Sequence, residues 1–203
     1  MSKKIITIGR QFGSGGHEIG ERIAKKLNIP LYDDEILEKA AKELGIDVED
    51  AKEIEEESVH NFVVGHVGMF TFDRAYNIED VNRSMSDQLY RAQSALIKEL
   101  ANQGSCVIVG RCADYVLRDR DDVLSVFICA DDEYRIERLM RVRGMVRDYA
   151  ENQIKVVDKK RRKYYNKYTG REWDSQLNHH MVLNASLLGA DYIVDLLADM
   201  YEN

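Results

Sequence analysis

The distribution of apolar residues predicts strands and helices that alternate along the whole chain. Short apolar runs rich in β-branched residues are typical of strands that are buried on both faces of a parallel sheet. Apolar residues spaced three and four apart between these runs indicate amphipathic helices. The predicted strands are 5–8, 29–32, 106–109, 123–130 and 181–184. The predicted helices are 17–27, 36–44, 46–58, 82–102, 131–143, 154–168 and 190–200. This alternation predicts an α/β fold, with helices on both faces of a parallel sheet of about five strands.

A glycine-rich turn separates the first strand from the first helix. Gly13, Gly15 and Gly16 allow positive φ angles and let a ligand approach the backbone. The helix that follows has unpaired N–H groups and the positive end of its dipole at its N-terminus, so it attracts anions. A phosphate group is therefore the expected ligand of this turn.

The turn departs from the nucleotide-binding pattern G-x-x-x-x-G-K-[ST]. Counted from Arg10, that pattern has lysine where this chain has Gly16 and a hydroxyl residue where it has His17. The dinucleotide pattern G-x-G-x-x-G also fails, because Glu18 stands at its third glycine. The alternative is an ordinary strand-to-helix turn. In that case the glycines would raise the entropic cost of folding, and no bound ligand would offset it.

Five segments occur in a characteristic order along the chain. They are ITI at 6–8, GSGG at 13–16, IPLYDDEI at 29–36, VIVGR at 107–111 and DKKRR at 158–162. Together they resemble the cytidylate-kinase-like family of P-loop nucleoside monophosphate kinases, over nearly the whole chain. The resemblance implies a three-layer α/β/α P-loop kinase fold. It also implies phosphoryl transfer from ATP, with Mg²⁺, to a nucleoside monophosphate, with CMP or dCMP favoured. The true cytidylate kinases have the lysine that this chain lacks.

The resemblance also implies a nucleotide-binding segment and an acceptor site. The residues expected to bind the nucleotide are Gly13, Ser14, Gly15, Gly16, His17 and Glu18. Asp33 lies at the carboxyl end of a strand, where ligands bind in open α/β sheets. It would orient the acceptor and serve as an outer ligand of a magnesium ion carried by ATP. The alternative is that Asp33 and the following acids only cap the next helix.

Arg111 leaves the buried strand 106–109 beside the expected phosphate site, and no Walker B aspartate is present there. Its planar guanidinium suits a phosphate group of the acceptor. The alternative is a salt bridge to an acid such as Asp114.

A lid over ATP is implied for residues about 143–168, with a hinge at 143–147. Arg161 and Arg162 correspond approximately to the lid arginines of the family, which neutralise charge on the transferred group. Because the lysine is absent, either Arg10 or a lid arginine would supply its charge. A solvated basic helix is the alternative.

An acceptor-binding insertion is implied for residues about 46–82. Within it, 59–77 mixes aromatic residues and glycines without clear periodicity, as binding loops do. A packed hairpin or a homodimer contact through residues 62–72 is the alternative. His60 and His66 are not expected to bind a metal, because no third ligand is in view.

Composition narrows the class of protein. The 203 residues, 44% hydrophobic and 32% charged, are enough for one sizeable core, so we expect a single domain over 1–203. A net charge of −7 argues against a nucleic-acid polymer or an acidic membrane as partner. The three cysteines, without metal-type spacing, indicate buried free thiols in a reducing compartment. The sequence shows neither a signal peptide nor a membrane span, so a cytoplasmic location is expected. Three other functions stay open, namely a kinase of another hydroxylated metabolite or antibiotic, a non-catalytic nucleotide-binding module and a structural protein.

Overall fold

The computed structural model describes residues 5–56 and 78–202. Five parallel strands form one sheet in the order β2-β3-β1-β4-β5. The strands are β1 (Ile5–Arg10), β2 (Leu31–Tyr32), β3 (Cys106–Val109), β4 (Val123–Cys129) and β5 (Met181–Asn184). β1 lies at the centre, where Ile5 is paired with Cys106 on one side and Val123 on the other. The predicted α/β fold with about five parallel strands is confirmed.

Nine α-helices lie within the described residues. They are α1 (Gly16–Leu27), α2 (Asp34–Leu44), α3 (Val48–Glu56), α4 (Ile78–Gln103), α5 (Ala113–Val116), α6 (Asp132–Arg143), α7 (Arg147–Thr169), α8 (Ala185–Leu188) and α9 (Ala190–Glu202). The short helices α5 and α8 were not predicted, because single turns leave no periodicity. α7 begins at Arg147 rather than at 154. Its first turns were not predicted, because the residue that they bury is the small Ala150 and not a large apolar side chain.

The central strands are buried on both faces, which explains their continuous apolar runs. On one face, α1 and α9 pack against the sheet. Their cluster includes Ile6 and Ile8 of β1, Ile19 and Ile23 of α1, and Ile193 and Leu197 of α9. This packing fixes the position of α1, and therefore of its N-terminus, against the end of β1.

The chain divides into two compact units. Met1–Asp33 with Ile97–Asn203 forms one unit, and Asp34–Leu96 forms the other. In the second unit, α2 and α3 share an apolar cluster that contains Leu37, Ala40, Ala41, Ala51, Leu89 and Ala92. The single domain with an insertion at about 46–82 stays a prediction. The expected binding loop at 59–77, with its histidines and the homodimer contact, lies outside the described residues.

All three cysteines, Cys106, Cys112 and Cys129, are free thiols, and Cys129 is only half-buried. No helix in the described part of the chain is long and apolar enough to span a membrane.

Candidate functional site

The glycine loop, residues 11–15, connects β1 to α1 in a conformation that depends on two glycines. Gly13 and Gly15 have φ angles of 82° and 88°, in the left-handed region that favours glycine. Ser14 is fully buried, and its hydroxyl donates a hydrogen bond to the Gln11 carbonyl at 2.9 Å. The loop therefore delivers the chain directly into α1, whose first N–H groups lack partners within the helix. Such an arrangement suits an anion.

Arginines from two other helices lie beside the loop. A Cβ at Gly15 would be 3.3 Å from Nε of Arg138, which lies on α6. Arg138 also forms an ion pair with Glu18 in the first turn of α1. From α7, Arg161 donates a hydrogen bond to the Arg10 carbonyl at 3.0 Å. These positive charges lie next to the helix N-terminus of a protein whose net charge is −7, and they favour an anionic ligand.

Arg138 was missed as a candidate ligand by sequence reasoning. Bases in the last turns of a helix complement the helix dipole, so the basic end of α6 does not by itself indicate a ligand. Only the packing of α6 across the loop brings Arg138 to Gly15. The sequence carries no local signal of that crossing.

A buried ion pair attaches the loop to α6 and α7. Asp158 of α7 accepts a hydrogen bond from the Phe12 N–H at 2.7 Å and another from Nη1 of Arg135 at 2.5 Å. Both charged residues are buried. The Phe12 ring packs in the apolar core between α6 and α7. It also lies 5.0 Å from the guanidinium of Arg143, within cation–π range.

Asp33 follows β2 and is paired with two groups of the loop region. Its carboxylate lies 2.7 Å from Nδ1 of His17 and 3.5 Å from Nη2 of Arg10. Burial raises the pKa of Asp33, but the His17 hydrogen bond and the charges of Arg10 and Arg111 outweigh burial and hold it below its usual value. The hydrogen bond to Asp33 raises the pKa of His17. Asp33 is therefore an ionised carboxylate among cationic groups at the carboxyl edge of the sheet.

Arg111 lies at the same edge, where its charge acts on Asp33. Arg111 and Cys112 have φ angles of 57° and 53°, an uncommon conformation for residues other than glycine. Such strain is often found at functional sites. Asp114, the acid named in the salt-bridge alternative, accepts a hydrogen bond from the Tyr165 hydroxyl at 2.6 Å. Burial raises the pKa of Asp114.

The predicted site residues thus fall into two groups. Arg10, Asp33 and Arg161 lie in contact with residues at the two ends of the glycine loop, and the charge of Arg111 acts on Asp33. Arg162 instead pairs with Asp174 at 2.7 Å, and its guanidinium lies 5.6 Å from the centre of the Trp173 ring. The role of each residue stays a prediction.

Comparisons with known proteins agree with this geometry. A model of the cytidylate kinase-like family matches residues 5–187. A search of curated proteins found no match. The chain is 27% identical to an uncharacterized protein from Eubacterium ventriosum of known structure, with a TM-score of 0.73 and 99% of each chain covered.

More distant solved structures share the fold. Shikimate kinase from Bacteroides thetaiotaomicron is 15% identical, with a TM-score of 0.55 and 98% of each chain covered. TT1252 from Thermus thermophilus is 15% identical, with a TM-score of 0.57, and the match covers 100% of this chain and 98% of that one. The three-layer α/β/α kinase fold is thereby confirmed. The family match over most of the sequence confirms the resemblance as well, and the chain belongs to the cytidylate kinase-like family.

Proposed function

We propose that the protein transfers the γ-phosphoryl group of ATP to a nucleoside monophosphate, with CMP or dCMP favoured. Membership of a kinase-like family supports a phosphotransferase that acts on a small molecule. The observation that carries the proposal is the glycine loop with Arg138 and Arg161 beside it. Phosphoryl transfer depends on alignment and charge neutralisation more than on covalent chemistry, and this site offers both.

Each group has a role in the proposed reaction. An oxygen of the acceptor phosphate attacks the γ-phosphorus of ATP, the bond to the β–γ bridging oxygen breaks, and ADP leaves with that oxygen. The N–H groups of the loop and the start of α1 bind the β-phosphate. Arg138 binds phosphate oxygens from the α6 side. Arg111 and Asp33, at the neighbouring strand ends, orient the acceptor.

Magnesium fits this site as an ion carried by ATP. Mg²⁺ prefers oxygen ligands, and Asp33 offers an ionised carboxylate. His17 stands where the usual pattern has a hydroxyl ligand, and its Nδ1 is engaged with Asp33. Among the described residues, no cluster of three or more histidines, cysteines or acids could hold a metal. When bound, the ion neutralises phosphate charge, with Asp33 as an outer ligand.

The direct test is ADP release from Mg-ATP by the purified protein with CMP, dCMP, UMP and shikimate as acceptors. Turnover with a nucleoside monophosphate supports the proposal. Turnover with shikimate alone would favour a kinase of another hydroxylated metabolite, which has the same fold. Calorimetric binding of ATP without turnover across the panel would indicate a non-catalytic nucleotide-binding module.

Two variants separate the loop from the acceptor side. Gly15→Val should abolish ATP binding, because its side chain fills the space beside Arg138. Gly170→Val is its matched control: Gly170 also has a positive φ angle, 67°, but no atom lies within 4 Å of its Cβ position. Arg111→Ala should weaken acceptor turnover and leave ATP affinity nearly unchanged. If Arg111→Ala lowers only the melting temperature, Arg111 has a structural role.

A further inference from the structure

We infer that the Arg10 side chain takes the place of the missing P-loop lysine and binds the ATP phosphates, and that Gly16 and Gly110 are glycines because this side chain needs their space. The inference rests on the proposed function. It decides between the two sources of charge that the sequence left open, Arg10 and a lid arginine.

The backbone brings residues 10 and 16 close together. A Cβ built on Gly16, the position of the usual lysine, would lie 2.5 Å from Cβ of Arg10 and 3.1 Å from its Cγ. Real Cβ atoms do not approach so closely, so residues 10 and 16 cannot both carry side chains here. Because the two Cβ positions are only 2.5 Å apart, an arginine at 10 leaves the backbone close to the point at which a lysine at 16 would.

The other end of the Arg10 side chain lies against Gly110. A Cβ on Gly110, just after β3, would lie 1.9 Å from Nη1 of Arg10 and 3.0 Å from its Cζ. The guanidinium thus occupies the space above the Gly110 backbone. Glycines on two separate elements therefore leave one continuous path for this side chain.

The path ends between the loop and the expected acceptor residues. Nη2 of Arg10 lies 3.5 Å from Oδ1 of Asp33, and the Arg10 side chain is 18% exposed. This long contact engages one of the five N–H donors of a guanidinium. A planar group of this kind binds phosphate oxygens in pairs, so Arg10 has the geometry and the charge to bridge the donor phosphates and the acceptor side.

Arg161 is less suited to replace the lysine. Its Nη1 donates to the Arg10 carbonyl at 3.0 Å, and its guanidinium lies 5.7 Å from the centre of the Phe12 ring. Arg161 therefore holds the end of β1 in place. It is a positioning residue for Arg10.

The first experiment tests how much the charge of Arg10 contributes to ligand binding. Calorimetry measures the affinity for ATP and for inorganic triphosphate. Arg10→Gln keeps the stem of the side chain and removes its charge, and we expect about a ten- to hundred-fold loss of affinity for both ligands. Arg118→Gln is the control, because Arg118 lies half-exposed beside Tyr115, and it should bind as the unchanged protein does.

The second experiment moves the charge to position 16. The double variant Arg10→Gly with Gly16→Lys removes the Arg10 Cβ and should recover most of the affinity that Arg10→Gly alone loses. The double variant Arg10→Ala with Gly16→Lys should not recover it, because the alanine keeps a Cβ 2.5 Å from the lysine Cβ. Its melting temperature should also be the lower of the two.

The outcomes separate this inference from the proposed function. ATP binding that is unaffected by Arg10→Gln would overturn the inference alone. So would a loss of affinity with Arg161→Gln that exceeds the loss with Arg10→Gln, or equal rescue by the two double variants. Failure of the unchanged protein to bind ATP or triphosphate would overturn the proposed function and the inference with it.

Discussion

Asp158→Ala should destabilise the protein far more than an ordinary substitution in a basic helix. Asp158 is 7% exposed and Arg135 is 4% exposed, so the substitution leaves a buried guanidinium without its buried partner. Nε of Arg135 already lacks a hydrogen-bond partner among the described residues. The Phe12 N–H loses its acceptor at the same time. The second effect acts directly on the glycine loop.

The magnitude follows from these two losses. A hydrogen bond to a charged acceptor contributes about 1.5–3 kcal/mol, and removal of one partner of a buried ion pair costs about 3–5 kcal/mol. The two values overlap, because Asp158 takes part in both interactions. Arg135 keeps Asp132 at 3.0 Å, but that side chain is 73% exposed and its charge is screened by water. We expect the free energy of unfolding to fall by about 3–5 kcal/mol, which corresponds to roughly 6–20 °C in melting temperature for a chain of this size.

Urea unfolding at neutral pH measures this change, with calorimetry as a second probe. Asp174→Ala is the matched control: Asp174 also pairs with an arginine of α7, Arg162, but their side chains are 39% and 45% exposed. Such a surface pair contributes about 0–1 kcal/mol. Amide exchange of Phe12 should speed up in Asp158→Ala alone. Equal destabilisation by the two variants, or a loss below about 1 kcal/mol for Asp158→Ala, would refute the reasoning.

Three further substitutions test separate parts of the molecule. His17→Gln should change how stability depends on pH. The raised pKa of His17 means that its contribution is complete below its ordinary value of 6.5 and is lost as pH rises through the folded-state pKa. Asp33 has a lowered pKa, so its contribution is present above 3.8 and is lost as pH falls through the folded-state value. Urea titrations from pH 3 to 9 would contradict this if the two proteins gave parallel curves above about pH 6.5. Tyr165→Phe should cost about 1–3 kcal/mol by calorimetry, because it removes the partly buried hydrogen bond to Asp114; a change below about 0.5 kcal/mol would contradict it. Gly9→Ala should cost about 1–3 kcal/mol, since its Cβ would lie 2.7 Å from a ring carbon of the β4 phenylalanine, and an unchanged melting temperature would rule this out.

The strands and most helices could be predicted because their signals are local. β3 is apolar throughout and β1 has three isoleucines among its first four residues, as burial on both faces of a parallel sheet requires. The carboxyl ends of the strands could be predicted to share one edge, which is why Asp33 and Arg111 were both expected near a ligand.

Other parts of the site depend on residues that are far apart in sequence. Arg138 reaches Gly15 through the packing of α6, and Asp158 meets Phe12 across 146 positions of the chain. Asp158 lies four residues after the buried Ile154, on the same face of α7, but nothing local in the run of charges at 158–162 indicates its ion pair with Arg135. The sequence alone could not show that a Cβ at position 16 would lie 2.5 Å from Cβ of Arg10, which is the contact from which we infer the role of Gly16.

The buried contacts of α7 determine which part of the predicted lid could move. Asp158 is attached to the glycine loop, Arg161 to the end of β1 and Tyr165 to Asp114. Lifting this part of α7 would break a buried ion pair, at a cost comparable with that of Asp158→Ala. The first residue of α7 is held differently, because Arg147 pairs with Glu133 and Glu151 at the surface, and such pairs contribute little. Ala150 and Ile154 in the next turns are buried in the apolar core that contains Phe12. A lid movement over ATP is therefore expected to involve the segment from Gly144 to Arg147, while the helix from Ala150 onward stays attached to the core and the loop.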